Sequence, residues 1–228
     1  MLFEIIVADP PWENNDQLTM GKTSRGAAST HDVLSTEEII KLDVKSLAAQ
    51  DSMLGLWVLG SMLTEGMDTM KAWGFVQKQT WVWVKTKQEP LKSLQKHIFD
   101  ILKKEDPKEY RKLIKKEFSS FKLDDVLNFY MGHSFRQTHE IALIGARGKY
   151  TKLIKNKSQR SVHISPSLAR SEKPEEFQDR LDLMVGSNVK KLELFARRDK
   201  LGWDCFGNDC PSSLKEDIRD SIKKLKLK

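Results

Sequence analysis

Apolar positions in this chain fall into short unbroken runs that alternate with stretches of helical spacing. Residues 2–8, Leu-Phe-Glu-Ile-Ile-Val-Ala, form a run of the kind that makes a buried strand. Ser35-Thr36-Glu37-Glu38 then opens a helix carrying Ile39, Ile40, Val44 and Leu47, with Ser35 suited to the N-cap and Glu38 completing a capping box. Residues 53–59 predict a second buried strand. A helix over 63–73 stops at Gly74, and a third strand over 75–84 is rich in aromatic and β-branched side chains. Residues 141–145 predict a fourth strand. Pro174 begins a helix with Phe177, Leu181 and Met184 on one face and Gly186 at its end, and 191–196 is a further strand. Apolar strands alternating with amphipathic helices predict an α/β domain, a doubly wound and mostly parallel sheet covered on both faces.

One segment breaks the rhythm. Residues 88–130 separate two strands by far more than a usual connection. Their apolar positions cluster at Leu91, Leu94, Ile98 and Leu102, then at Tyr110, Leu113, Ile114 and Phe118, with Asp106-Pro107 between the two groups. This spacing predicts a helical hairpin inserted into the sheet domain. It holds ten basic and eight acidic side chains, too balanced for a purely electrostatic arm, so its apolar faces are expected to pack or to dock a partner. After Pro211 a lysine-rich amphipathic segment (Leu214, Ile218, Ile222, Leu225) predicts a docking helix or a frayed tail. The expected organisation is a domain over 1–210 and a basic helix or tail over 211–228.

At 228 residues the chain suits one sizeable domain with an insertion. No stretch approaches the ~20 apolar residues of a membrane span, and there is no signal-peptide pattern, so an intracellular protein with no membrane partner is expected. The first strand begins at Leu2, which leads us to expect a piece of something longer. The net charge of +7 and pI near 9.2 favour a polyanionic partner. The run Arg147, Lys149, Lys152, Lys155, Lys157, Arg160 holds six cations and no acid. It is a solvated loop or, beside a nucleic-acid site, a phosphate-contacting one, with Lys149 and Lys152 as candidate substrate contacts. Cys205 and Cys210 read as reduced thiols. The five histidines are too scattered for a zinc site, and no metal is expected.

The chemistry concentrates at Asp9-Pro10-Pro11-Trp12, directly after the first strand, where open α/β sheets place their ligands. Two prolines stiffen the loop and remove two donors, leaving carbonyls that only accept. A carboxylate, prolyl carbonyls and an indole suit a flat group bearing N–H donors, such as an exocyclic adenine amine. Asp9 and the Pro10 carbonyl can accept its two N–H bonds and push the nitrogen toward a pyramidal, nucleophilic geometry. Trp12 can stack on the base, worth roughly 1–3 kcal/mol.

The chain resembles the DPPW-type adenine N6-methyltransferases, which include the catalytic subunit of the messenger-RNA adenosine methyltransferase and DNA adenine methyltransferases of unicellular eukaryotes. Beyond the tetrapeptide, Leu56-Trp57-Val58, Trp73-Gly74-Phe75, Trp83-Val84-Lys85-Thr86, His139-Glu140 and Leu143-Ile144-Gly145 follow in the family's order. So do Ser171-Glu172-Lys173-Pro174, Leu192-Glu193-Leu194-Phe195-Ala196-Arg197, Gly202-Trp203 and Gly207-Asn208. Together they span nearly the whole chain apart from the insertion.

This resemblance implies a Rossmann-like methyltransferase with permuted motif order, the catalytic loop preceding the cofactor strand, and S-adenosylmethionine as the cofactor. It implies that Phe195 and Arg197 belong to the cofactor segment and that Asn208 and Asp209 hold the ribose hydroxyls. Asp9 would lie between the cofactor and the target amine, with Lys85 and His139 near the pocket. His31 falls near a tyrosine that contacts the adenosine in the messenger-RNA branch. Transfer would be direct and metal-free, on a base that is single-stranded or flipped out. The Trp after Pro-Pro favours adenine over cytosine, since other amino-methyltransferases of this plan carry Tyr or Phe there. A catalytically silent subunit would lack the tetrapeptide and the ribose-binding residues, and both are intact. Arg198-Asp199-Lys200 stands where the messenger-RNA enzyme has a His-Asn pair, and the loop over 13–29 is longer and more polar. These departures lean toward the DNA-methylating branch. The resemblance then implies a nuclear heterodimer with a silent paralogue, joined by further DNA-binding subunits and acting on DNA, with RNA as the alternative polymer.

Overall fold

The computed structural model describes residues 2–13, 33–104, 106, 109–130, 134–169 and 172–227. The strands are β1 (Phe3–Ala8), β2 (Ala48–Val58), β3 (Val76–Thr86), β4 (His139–Arg147), β5 (Val162–Pro166), β6 (Lys191–Leu194) and β7 (Asp204–Phe206). The helices are α1 (Thr36–Lys41), α2 (Leu63–Ala72), α3 (Lys92–Lys104), α4 (Tyr110–Ser120), α5 (Glu176–Val185) and α6 (Ile218–Leu227). The strands form one sheet in the order β5-β3-β4-β2-β1-β6-β7. β1 runs parallel to β2 and to β6, β6 is parallel to β7, and β4 is antiparallel to β2. This is a mixed, seven-stranded α/β sheet.

The connections out of β1 and β6 set the position of the site. β1 leads to β2 on one side, and its other neighbour, β6, leads to β7 away from it. Such a reversal opens a crevice at the carboxyl ends of the two strands, the usual ligand position in open α/β sheets. The chain divides into two compact units: Met1–Val82, Glu140–His163 and Glu172–Lys228, and separately Trp83–His139 with Ile164–Ser171.

In the first unit, Ile6, Ala8, Leu54, Leu56, Leu192 and Leu194 turn one face of the sheet into the main core, against Ile39 of α1 and Met70 of α2. The Ser35 cap forms as its sequence requires: its hydroxyl accepts from the Glu38 N–H, and the Glu38 carboxylate accepts from the Ser35 N–H. On the other sheet face Gly55 lets Phe177 of α5 come close, since a Cβ there would lie 2.6 Å from the Phe177 ring.

α6 docks against this core: Ile218, Ile222 and Leu225 are buried in it. Ile222→Ala is therefore expected to destabilise the protein by about 2–5 kcal/mol, the usual range for truncating a buried aliphatic side chain. Chemical denaturation would read this directly, and a loss under about 0.5 kcal/mol would place the helix outside the cooperative core.

Four elements differ from the sequence expectation. α1 ends at Lys41, and Val44 and Leu47 reach the core through a short 3-10 turn, because the chain must leave the helix to enter β2 at Ala48. β2 begins five residues early, through polar Gln50, Asp51 and Ser52. β5 and β7, absent from the periodicity, are the two edge strands, short and covered on fewer sides, so their apolar signal is weak.

The second unit contains the expected hairpin, α3 and α4, tied by the Tyr110 hydroxyl donating to the Leu102 carbonyl and by His97 beside Glu117 at 3.4 Å. Its boundaries are wider than 88–130. Trp83 donates to Ser165 and Asn128 to Ser167, so the 164–171 segment belongs to it.

Candidate active site

β1 delivers Asp9 to the crevice, where its backbone N–H donates to Leu194 at the end of β6 (3.4 Å). The Asp9 carboxylate meets the Lys173 ammonium at 2.9 Å, and the same ammonium lies 3.3 Å from Glu140 at the start of β4. The three side chains are each about a fifth exposed, at 21%, 19% and 22%. The Lys173 ammonium also lies 5.5 Å from the Trp57 ring centre. Lys173 stands just before Pro174 and α5, so the start of that helix positions it.

Burial pushes the Asp9 carboxyl above its ordinary value of 3.8; Lys173 opposes this, Glu140 adds to it, and Arg197 also opposes it. Burial alone would lower the Lys173 ammonium, but Asp9 and Glu140 together hold it above its ordinary 10.5. The cluster thus keeps a permanent cation beside a carboxylate of raised proton affinity. A reaction that needs ionised Asp9 will lose rate as pH falls through this raised value. The acid limb of a single-turnover pH profile is expected above 3.8; a limb at or below 3.8 would detach it from Asp9.

The loop after Asp9 is held more tightly than its sequence suggested. The Pro10 carbonyl accepts the Trp12 N–H (2.9 Å), and the Pro11 carbonyl accepts the Leu34 N–H (2.9 Å), so each retains one lone pair for a ligand instead of two. Trp12 itself is corrected. Its indole is 4% exposed, lies in the core and donates to the Trp57 carbonyl at 2.9 Å. A buried ring cannot offer a stacking face, and Trp12 instead pins the loop to the end of β2.

The cofactor candidates gather on the neighbouring strands. Phe195, just beyond β6, adopts a left-handed conformation (φ 63°), a strained state that costs on the order of 1–3 kcal/mol and is found at functional sites. The Ala196 N–H donates to the Phe206 carbonyl of β7 (2.9 Å), joining the two strand ends. Gly207 is required there, because a Cβ would sit 2.1 Å from the Ala196 carbonyl oxygen. Asn208 and Asp209 follow on an exposed turn, held by the Lys215 N–H donating to the Asn208 carbonyl. Arg197 is close enough to act on the Asp9 carboxyl. Asp9, Arg197 and the turn of Asn208 and Asp209 therefore share the carboxyl end of one part of the sheet.

Two other candidates lie away from Asp9. Lys149 and Lys152 are placed at the opposite end of the sheet. The Lys149 N–H donates to Asp51 (2.7 Å), and the Lys152 ammonium is 3.9 Å from the same carboxylate. Asp51 precedes Leu56, the partner of Ala8 in β1, by five residues, roughly 16 Å of strand. These lysines do not flank Asp9, since the basic run follows the far end of β4. Lys85 and His139 belong to the second unit, where the Lys85 ammonium lies 4.6 Å from the Trp83 ring centre and His139 is exposed. His31 lies outside the described residues.

Lys173 and Glu140 are site residues that the sequence did not single out, although both stand in motifs that carry the family resemblance. A lysine before a helix-starting proline carries no signal of its partner 164 residues away. Glu193, on β6, is a third. It accepts from Gln178 (2.9 Å), and burial pushes its carboxyl up. Cys205 and Cys210 are free and buried, and burial pushes the Cys205 thiol up to about 12, which makes it a poor nucleophile.

Comparison with known proteins places these features in a wider set. The model of the MT-A70 family matches residues 3–109 and 112–209. A rice protein named probable N(6)-adenosine-methyltransferase MT-A70-like is 26% identical over 208 residues, covering 90% of this chain and 23% of its own length. A Drosophila N(6)-adenosine-methyltransferase MT-A70-like protein is 26% identical over 90% of this chain and 26% of its own. The chain thus spans about a quarter of these relatives. The type II methyltransferase M.MunI of a Mycoplasma species is 23% identical over 92% of this chain and 79% of its own.

Proposed function

Because this chain belongs to the MT-A70 family, we propose that it is an adenine N6-methyltransferase, transferring a methyl group from S-adenosylmethionine to the exocyclic amine of adenine in nucleic acid. The observation that carries this reading is the Asp9–Lys173 pair at the crevice between β1 and β6.

The residues present fit the cofactor. Its methionine end carries a carboxylate and an ammonium, for which Lys173 supplies a cation and Asp9 an acceptor. Its ribose diol suits the Asp209 carboxylate and the Asn208 amide on the turn after β7. When bound, it supplies an electrophilic methyl group. The chain's own residues prepare the amine. Asp9 accepts one N–H, the remaining lone pair on the Pro10 carbonyl accepts the other, and the nitrogen lone pair is drawn out of conjugation with the ring. Lys173, pinned by Asp9 and Glu140, holds the carboxylate in one orientation. The alkylated nitrogen must then shed a proton, and Asp9, with its raised proton affinity, is placed to take it. Positioning supplies much of the rate.

DNA is the polymer favoured here. Its support is Arg198-Asp199-Lys200, which departs from the messenger-RNA branch. The adenosine-methyltransferase names of the rice and fly relatives favour RNA as the second reading. A silent paralogue as partner rests on the family resemblance. The test is methyl incorporation into matched DNA and RNA oligonucleotides, with and without co-purifying proteins. N6-methyladenine in DNA is expected. Product in RNA alone would overturn the DNA reading, and product in neither, with partners present, would overturn the activity.

A further inference from the structure

The connection that leaves β6 reaches back to the start of α5. Arg198 donates from Nη2 to the Lys173 carbonyl at 3.0 Å. Its Nε, closed off from solvent, lies 3.0 Å from Glu175 Oε1, an ion-pair contact whose angle falls short of a hydrogen bond. Lys200 completes the tie. Its ammonium is 2.5 Å from Asp179 and 3.8 Å from Glu175 Oε2, and its side chain is only 13% exposed. Glu175 is the N-cap residue of α5 and Asp179 lies in its first turn, where the helix dipole favours negative charge. Two cations of one connection thus grip the beginning of one helix.

Lys173 is therefore held from two directions. Its ammonium meets Asp9 and Glu140, and its carbonyl meets Arg198. A lysine stem is long and flexible, so the ammonium keeps one position only if the backbone that carries it is fixed as well. An arginine suits this task. Its planar fork sends donors in fixed directions, here to a carbonyl and a carboxylate at once, whereas a lysine offers a single point charge. The neighbouring Arg197 acts on the Asp9 carboxyl itself, so successive arginines serve the two ends of the Asp9–Lys173 pair. The tie also accounts for Phe195. A left-handed residue persists only where its surroundings over-determine it, and Arg198 and Lys200 anchor the same connection on α5.

We propose that Arg198 is a positioning residue for methyl transfer: by holding the Lys173 carbonyl and Glu175 together, it keeps the Lys173 ammonium against Asp9. This deepens the methyl-transfer reading and rests on it for the effect on rate; the geometry is tested without the reaction.

The test follows the carboxyl carbon resonance of Asp9 against pH in protein labelled at aspartate, assigned by its loss in Asp9→Asn. The charged groups facing Asp9 are Lys173 from the start of α5, Glu140 from β4, and Arg197 and Glu193 from β6 and its end. Burial raises the Asp9 carboxyl, and Lys173 is the largest influence in the other direction. Arg198→Lys keeps the charge and gives up the fork. The Lys173 ammonium is then expected to leave Asp9, and the carboxyl to titrate at higher pH than in the unaltered protein, because a less neutralised carboxylate holds its proton more tightly. In a Lys173→Met background the same substitution is expected to move Asp9 no further, since its effect passes through Lys173. Glu175→Gln, which frees the other side of the guanidinium, is expected to act in the same direction and takes the place of Arg198→Lys if that variant does not fold. Single-turnover methylation should fall about 10²-fold in Arg198→Lys, the order expected of a small misplacement, with oligonucleotide affinity unchanged. An Asp9 titration that stays in place in Arg198→Lys, or a shift that persists undiminished in the Lys173→Met background, overturns the proposal. Absence of methyl transfer by the unaltered protein would instead overturn the methyltransferase reading and leave the titration result standing.

Discussion

Asp9→Ala is expected to abolish methyl transfer, by at least about 10³-fold, while the protein stays folded. The loss is large because Asp9 does two things at once: it accepts the amine N–H, and it receives the proton that leaves. Acid–base groups in such positions contribute roughly 10²–10⁴ in rate. The fold survives because Asp9 does not hold the core together. Burial raises its carboxyl above 3.8, so the native state gains nothing from its charge at neutral pH. Lys173 keeps Glu140 at 3.3 Å when Asp9 is removed. Single-turnover methylation and a thermal melt measure the two halves separately. Turnover close to that of the unaltered protein would remove Asp9 from the chemistry.

Trp12→Ala is expected to act in the opposite way, through stability. Its indole fills part of the core that holds Ile39, Leu56 and Met62. Truncating a buried aromatic costs about 3–5 kcal/mol. The Trp57 carbonyl then loses its indole donor, which adds about 1–3 kcal/mol if water does not replace it. The loop should loosen as a whole, so that cofactor and base binding fall together. Trp12→Phe should recover most of the packing but not the hydrogen bond. Denaturation curves and paired titrations of donor and oligonucleotide check this. Unchanged stability with a selective loss of base binding would restore a stacking role for Trp12.

Much of the fold was legible in local pattern. The strand over 2–8, the Ser35–Glu38 capping box, the Gly74 and Gly186 stops and the helical hairpin all appear near their expected positions. Each is written in neighbouring residues, as an apolar period or a cap. The edge strands β5 and β7 were not legible, because a strand with one neighbour needs few apolar residues. The start of β2 was hidden for a related reason: exposed Gln50 and half-buried Asp51 interrupt its apolar run.

The candidate site divides along the same line. That an aspartate and two prolines stand at the tip of a buried strand follows from residues 2–12 alone, since a strand's end and a proline's stiffness are local properties. Tertiary structure decided the rest. It brought Lys173 to Asp9 across 164 residues, turned the Trp12 indole inward onto Trp57 across 45, and carried Lys149 and Lys152 to the far end of the sheet. Periodicity reports which side of an element is buried. It does not report which distant group arrives there, and that arrival determines whether a carboxylate meets an ammonium or an indole meets a carbonyl.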